Sequence, residues 1–305
     1  MTRPGRGSSL RIAALSAGVT GAAMVPGPLT AGIARGAARL VGDAHVVRPR
    51  GAMAERRAQA AAHMRRIFGP AVAESQLEGL VDRVFASYGQ YWADFLRLPH
   101  LPASYVVQTT TVVGGEHLSD GLARGNGVIA CLPHLGGWEW GGRCLTATGH
   151  PLSVVVEALD PPVFAWFADA RRKMGMEVIS AGAGVEAAAL AAIHDNRLLC
   201  LLCDRLVGAA SGVEVEFFGE KTYLPAGPAA VALRTGATVV TAAIFFQPRA
   251  DRHQLWVDPP LETPRKGRFR EDVAAVTQAV AHRMETLVRR APTQWHLLQP
   301  NWPSD

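Results

Sequence analysis

Neither a Gly-x-Ser-x-Gly elbow nor a Gly-x4-Gly-Lys-Ser/Thr loop occurs in the 305 residues, which sets aside a serine-hydrolase nucleophile and a P-loop kinase. Cysteine is scarce, with four residues in all. Cys131, Cys144, Cys200 and Cys203 lie in apolar surroundings, so buried free thiols and a reducing compartment are expected. Cys200 and Cys203 form a Cys-x-x-Cys, but positions three apart in an apolar strand face opposite sides, which excludes a helix-borne redox pair. The ten histidines offer no metal triad: His100, His150 and His194 stand singly at polar boundaries, and no metal site is expected. Charged residues are few as well, 19% against 49% hydrophobic, a globular composition that leans toward an apolar surface.

What charge there is lies unevenly. The net charge is +5, yet residues 1–66 hold eleven arginines against Asp43 and Glu55, and the rest of the chain is slightly acidic. No nucleic-acid partner is expected. Residues 10–41 are rich in Ala, Gly and Leu, but Arg11 interrupts the signal-peptide-like start and Pro26-Gly27-Pro28 breaks the run. No 18-residue stretch there is free of a breaker or a charge, so a transmembrane helix is not expected. Two short amphipathic helices with an arginine rim would dock on an anionic membrane surface; the plainer alternative is a frayed tail. Residues 1–50 are therefore set apart as a basic amphipathic membrane-contacting segment, and 51–305 as one domain.

Within that domain, residues 53–98 show helical periodicity on either side of Gly69-Pro70. Tyr88, Tyr91, Trp92 and Phe95 form an aromatic stripe at helical spacing, the mark of core packing. Val106-Val107 and residues 109–113 are β-branched and read as strand. Further on, apolar strand-length runs at 128–132, 152–157, 177–180 and 198–203 alternate with helical stretches at 162–175 and 185–196, and strands follow at 213–217, 237–246 and 254–257. A last helix spans 270–290. The pattern predicts a single-domain α/β fold with a mixed, largely parallel sheet flanked by helices.

His134 sits where the run 128–132 ends at Pro133 and a helix can begin after Glu139. Carboxyl ends of strands in such sheets are where ligands bind, and the amides of the following helix can stabilise negative charge. On a continuous helix, residues five apart point about 140° away from each other, so His134 and Glu139 meet only if His134 lies in the turn. Pro133 and Gly136-Gly137 permit that kink. A carboxylate beside the imidazole would make it a general base for an alcohol. Arg171-Arg172-Lys173 close a helix as dipole partners or as a binding group, and Asp204-Arg205 follow the strand 198–203 as an ion pair or a substrate contact. Glu214 and Glu216 share one face of their strand. A separate possibility is Gly182-x-Gly184-x-x-Ala187, which opens a helix after a strand as a dinucleotide loop does.

Several blocks in order resemble the lysophospholipid acyltransferase superfamily, in the branch of lipid A and phosphatidylinositol mannoside acyltransferases. They are Pro133-His134-Leu135-Gly136-Gly137-Trp138-Glu139, Asp204-Arg205, the stretch 212–219, Leu224-Pro225-Ala226-Gly227-Pro228-Ala229 and Trp295-His296-Leu297-Leu298-Gln299. Many members carry Asn where this chain has Gly137. The resemblance implies a glycerolipid acyltransferase-like fold and an O-acyltransferase moving a fatty acyl chain from acyl-CoA or acyl carrier protein to a glycolipid hydroxyl, with a phosphatidylinositol mannoside as the foremost acceptor. No other cofactor is implied, and the place of action would be the cytoplasmic face of the cell membrane, held peripherally. By resemblance His134 is the base and Glu139 or Glu214 its partner. Trp138, Arg171, Arg172, Asp204 and Arg205 are the candidate substrate-binding residues, with Arg172 matching the family's acceptor-holding arginine better than Arg171. The competing expectations are a nucleotide-cofactor enzyme built on the Gly182 loop and an inactive lipid-binding relative.

Overall fold

The computed structural model describes residues 51–157, 161–207, 211–249 and 251–305, preceded by four helical positions, Leu29, Gly32, Ile33 and Gly36. Apart from those four, the basic segment expected over residues 1–50 lies outside the described residues. Two long helices come first, α1 (Ala52–Phe68) and α2 (Glu74–Arg97), followed by the short α3 (Ala103–Gln108). Strand β1 (Thr110–Val113), helix α4 (Glu116–Ala123), strand β2 (Val128–Leu132) and helix α5 (Trp138–Ala147) lead into β3 (Leu152–Glu157), α6 (Pro161–Lys173), β4 (Glu177–Ala181), α7 (Val185–His194) and β5 (Leu198–Leu202). A hairpin of β6 (Gly212–Phe217) and β7 (Glu220–Pro225) precedes α8 (Gly227–Thr235), β8 (Thr238–Phe246), β9 (His253–Val257) and α9 (Phe269–Arg290).

Seven strands form one sheet in the order β1-β9-β8-β2-β5-β3-β4, parallel at every pairing except β8 with β9. The central strand, β2, and its neighbour β8 explain the sequence pattern. β2 and β8 are buried at every position, so they carry unbroken apolar runs rather than alternation. Residues pointing to one face, such as Ile129, Leu199, Val239 and Ala243, pack with α1, α7, α8 and α9. Those pointing to the other, such as Ala130, Leu198, Val240 and Ala242, pack with α3, α4 and α5. Helix α2 joins the first cluster through Leu77 to Phe85, and Leu98, just past its end, joins the second.

Two local expectations change. Val106-Val107 lie in α3 rather than in a strand, because Pro102 starts a helical turn there and Val106 is fully buried against the second cluster. Strand β7 is additional; it returns from a tight turn at Phe218-Gly219, both with positive φ, and buries Thr222 and Leu224 in alternation. The four cysteines are free, three of them buried. Cys200 packs with one layer and Cys203 with the other, as strand geometry requires.

Candidate active site

The site forms where β2 and β5 end side by side. Their parallel register pairs Leu132 with Leu202, and Cys203 continues the ladder by donating its amide to the Leu132 carbonyl at 2.8 Å. Two residues further along each chain, His134 and Asp204 come level. His134 Nδ1 and Asp204 Oδ1 are 2.6 Å apart, and the His134 backbone amide donates to Oδ2 at 2.8 Å. The Trp295 indole donates to the same Oδ2 at 2.7 Å, and the Asn301 side chain donates to the Asp204 carbonyl at 2.9 Å. The histidine's own carbonyl accepts from the His296 amide at 2.7 Å.

This arrangement sets the imidazole's tautomer. A carboxylate only accepts, so Nδ1 carries the proton and Nε2 keeps its lone pair. Burial is the strongest single influence on Asp204 and acts to raise its pKa. Electrostatic attraction to the His134 ring and the bonds from His134 and Trp295 outweigh it and leave the carboxyl below its usual range. Asp204 is fully buried, whereas the His134 side chain is 18% exposed, so the pair presents one face of the ring to its surroundings.

The turn after His134 is fixed by close backbone approach. Gly136 has φ +62°, and a Cβ there would collide with the Ile244 carbonyl oxygen. Its amide donates to the Gln294 carbonyl at 2.9 Å, and that of Gly137 to the Ile244 carbonyl at 3.1 Å. Those two amides are therefore taken. Helix α5 starts immediately after them, and the amides of Trp138 and Glu139 belong to its first turn, which has no partners within the helix.

Neither carboxylate expected to hold the imidazole does so. Glu139 is buried and turned away from His134: its Oε1 lies 2.5 Å from the Arg171 guanidinium and accepts from the Tyr91 hydroxyl at 3.1 Å. Glu214 stands on the outer face of the hairpin, 47% exposed, 2.7 Å from Lys221 Nζ. Glu216 is exposed on the same face. Of the two arginines closing α6, Arg171 reaches the site and packs over Phe95 and Phe167, while Arg172 is exposed. Arg205 lies 2.5 Å from Glu157 at the end of β3. Trp138 stacks on Tyr91 at 4.1 Å and meets the His134 ring edge-on at 5.6 Å. The Gly182 loop joins the edge strand β4 to α7, with Gly184 in the left-handed region as the helix N-cap.

All of these groups except Arg172 and the hairpin glutamates border or support a cavity of about 670 Å3 that reaches from His134 into the protein. Tyr88, Tyr91, Trp138, Glu139, Arg171 and His296 gather at its polar end. Most of its remaining lining is apolar, including Leu132, Leu145, Val154, Leu198 and Ile244, and the charged Glu157, Glu186, Arg205 and Arg234 also border it. Part of the aromatic stripe on α2 thus lines a cavity as well as packing the core. Cys200 also borders it, but burial pushes that thiol's pKa up to about 12, with Cys131 adding to the shift, so it is no competing nucleophile. His296, driven down to about 3 by burial and then by His134, is neutral at physiological pH. Among the described residues no group of three or more His, Cys, Asp or Glu side chains could hold a metal ion.

Asp204 was legible as a strand-end residue but not as the imidazole's partner, because that depends on β5 lying next to β2. Trp295 and His296 belong to a block whose role the sequence alone leaves open.

The sequence pattern of the family described as bacterial lipid A biosynthesis acyltransferase matches residues 10–304. A phosphatidylinositol mannoside acyltransferase of Mycolicibacterium smegmatis is 34% identical over 75% of this chain and 74% of its own length. A protein of the same description from Mycobacterium tuberculosis is 36% identical over 72% of this chain and 69% of its own. A lipid A biosynthesis acyltransferase of Haemophilus influenzae is 23% identical over 73% and 68%.

Proposed function

The chain belongs to the bacterial lipid A biosynthesis acyltransferase family and is an acyltransferase, and we propose that it transfers a fatty acyl group from a thioester to a hydroxyl of a membrane glycolipid. The donor is acyl-CoA or acyl carrier protein, and a phosphatidylinositol mannoside is the acceptor we favour. The observation that carries this is the His134–Asp204 pair at the meeting point of an apolar cavity and a cluster of polar side chains.

In this mechanism the acceptor hydroxyl gives its proton to His134 Nε2 as its oxygen attacks the thioester carbonyl. Asp204 stabilises the imidazolium. The amides of Trp138 and Glu139 at the start of α5 are the donors assigned to the tetrahedral oxyanion, since those of Gly136 and Gly137 are engaged. Collapse breaks the C–S bond, and the imidazolium proton goes to the departing thiolate. A thioester is already activated, so positioning and one base suffice and the scheme calls for no metal or prosthetic group. The apolar walls take the acyl chain.

The stretch 212–219 supports a sugar-bearing acceptor over lysophosphatidic acid. Enzymes of the superfamily that acylate small phosphorylated glycerols carry an arginine in the corresponding block, suited to a phosphate, whereas residues 212–219 of this chain contain no arginine; Glu214 and Glu216, exposed on the outer face of the hairpin, do not contact the acceptor. With mannosylated phosphatidylinositol and lysophosphatidic acid at equal concentration, labelled palmitoyl-CoA should deliver its label to the glycolipid. Preferential labelling of lysophosphatidic acid rejects the acceptor assignment.

We also place the protein peripherally on an anionic membrane surface, on the cytoplasmic side. No helix among the described residues is long and apolar enough to cross a membrane. Residues 1–66 are strongly basic, and the helical Leu29 and Ile33, four positions apart, are 56% and 61% exposed. Each arginine near the surface contributes roughly 1 kcal/mol, screened by salt over about 8 Å. Flotation with anionic vesicles should therefore fall steeply with salt and on removal of residues 1–50. Equal flotation of the shortened protein would move the contact elsewhere.

A further inference from the structure

The sheet releases β5 just before its catalytic residue. Cys203 makes the last ladder bond to β2, and Asp204, one position on, is placed by groups from outside the sheet. Its carboxylate takes the Trp295 indole and its carbonyl takes the Asn301 side chain, so two of its donors come from the segment that follows α9. A donor can fix its acceptor only if the donor is itself fixed. Residues 301–305 are fixed by a carboxylate of their own. Asp305 Oδ2 accepts from the Asn301 amide at 2.6 Å and from the Trp302 amide at 3.0 Å, which closes the five residues into a turn.

That carboxylate is closed off from solvent between two side chains of α1. Arg66 donates to Oδ1 at 3.1 Å, and His63 Nε2 lies 3.5 Å from Oδ2. His63 is anchored in turn, its Nδ1 donating to the Leu297 carbonyl at 2.9 Å, while Arg66 also bonds Glu220 of β7 at 2.9 Å and lies 4.0 Å above the Trp302 ring. Trp302 is buried, stacked on Phe217, and donates to that residue's carbonyl at 3.2 Å. Thr222 of β7 donates to the Asn301 carbonyl. Burial acts to raise the Asp305 pKa, but contact with His63 and the two amide bonds outweigh it and hold the carboxyl below its usual range. We propose that Asn301 is a positioning residue for the His134–Asp204 pair, and that the clasp of Asp305 with His63 and Arg66 keeps Asn301 in place to do so. This rests on the acid–base reading above and adds to it what sets the carboxylate's position. An error of about 1 Å at a reacting centre can cost on the order of 10² in rate, so one donor on the Asp204 backbone has leverage over turnover.

The test uses the full-length protein with labelled palmitoyl-CoA and mannosylated phosphatidylinositol. Asn301→Leu keeps the branching of the side chain and removes the donor. On protein that melts well above the assay temperature, kcat is expected to fall about tenfold while KM for either substrate stays within about twofold. The acid limb of the pH–rate profile should move to lower pH, because a carboxylate displaced from the imidazole stabilises the imidazolium less. A merely structural contact would reduce the amount of active enzyme and leave the limb in place. In an Asp204→Asn background, Asn301→Leu should cost less than about twofold more, since the carboxylate it positions is gone. Asp305→Asn, which leaves Asn301 intact but removes the charge that α1 grips, should lower kcat several-fold and move the limb in the same direction. A folded Asn301→Leu enzyme within about twofold of wild type, an unmoved acid limb, or full multiplication of the two losses in the double variant overturns the proposal. So does an Asp305→Asn enzyme with an unmoved limb, and that result decides alone where Asn301→Leu does not fold. If Asp204→Asn by itself keeps more than a tenth of wild-type transfer, the acid–base reading fails, and the positioning role falls with it.

Discussion

Asp204→Asn should lower acyl transfer by about 10³ to 10⁴, the order seen when the orienting carboxylate of a His–Asp pair becomes an amide. The local geometry forces the outcome. Oδ2 of Asp204 receives two fixed N–H donors, the His134 amide and the Trp295 indole. An asparagine must turn its oxygen toward them, which leaves its NH2 facing His134 Nδ1. Nδ1 then becomes the acceptor, the proton moves to Nε2, and the base has no lone pair for the acceptor alcohol. At 1.36 kcal/mol per factor of ten, the loss corresponds to about 4 to 5.5 kcal/mol of transition-state stabilisation. Steady-state rates with palmitoyl-CoA and the glycolipid, on protein whose melting temperature shows it folded, provide the check. Activity above a tenth of wild type would remove Asp204 from the mechanism. Glu214→Gln serves as the contrast: on an exposed hairpin face beside Lys221, its carboxylate should matter less than twofold.

Removing the base itself by His134→Ala should cost about 10² to 10⁴ in turnover. Asp204 keeps its bonds to the His134 amide, the Trp295 indole and the Asn301 side chain, none of which involves the imidazole. The pocket should therefore persist, and added imidazole should recover part of the rate by entering the space the ring leaves. Retention of more than a tenth of the wild-type turnover would refute the assignment of His134.

The central strands were readable because β2 and β8 are buried at every position and β5 is buried at its start and half-buried beyond, so all three show as unbroken apolar runs. β7 was not, since its turn is Phe218-Gly219. Asn-Gly or Asp-Gly is the usual signal for a positive-φ pair, and a phenylalanine at φ 53° hides it. The position of His134 at a strand end followed from Pro133 and the glycines after it. Its partner did not, because strand order decides it: β5 and β8 flank β2, and neither neighbours it in sequence. Glu139 was expected just before the helix, but α5 already starts at Trp138 and directs Glu139 to Arg171 and Tyr91, a contact between α5, α6 and α2 that spacing alone cannot reveal.

The distance along the chain between Asp204 and Trp295 has a consequence in time. Ninety-one positions separate the carboxylate from the indole that donates to it. At a synthesis rate of about 5 to 20 residues per second, roughly 5 to 20 s pass after Asp204 is made before its indole donor exists. β8 ends 49 residues before Trp295 and α9 only five before it, so for most of the interval the nascent chain lacks the helix that covers one face of the sheet, and to its end it lacks the indole that holds Asp204. Chains arrested before Trp295 should be translated in bulk yet carry no transferase, which makes the last segment the step at which the protein becomes an enzyme.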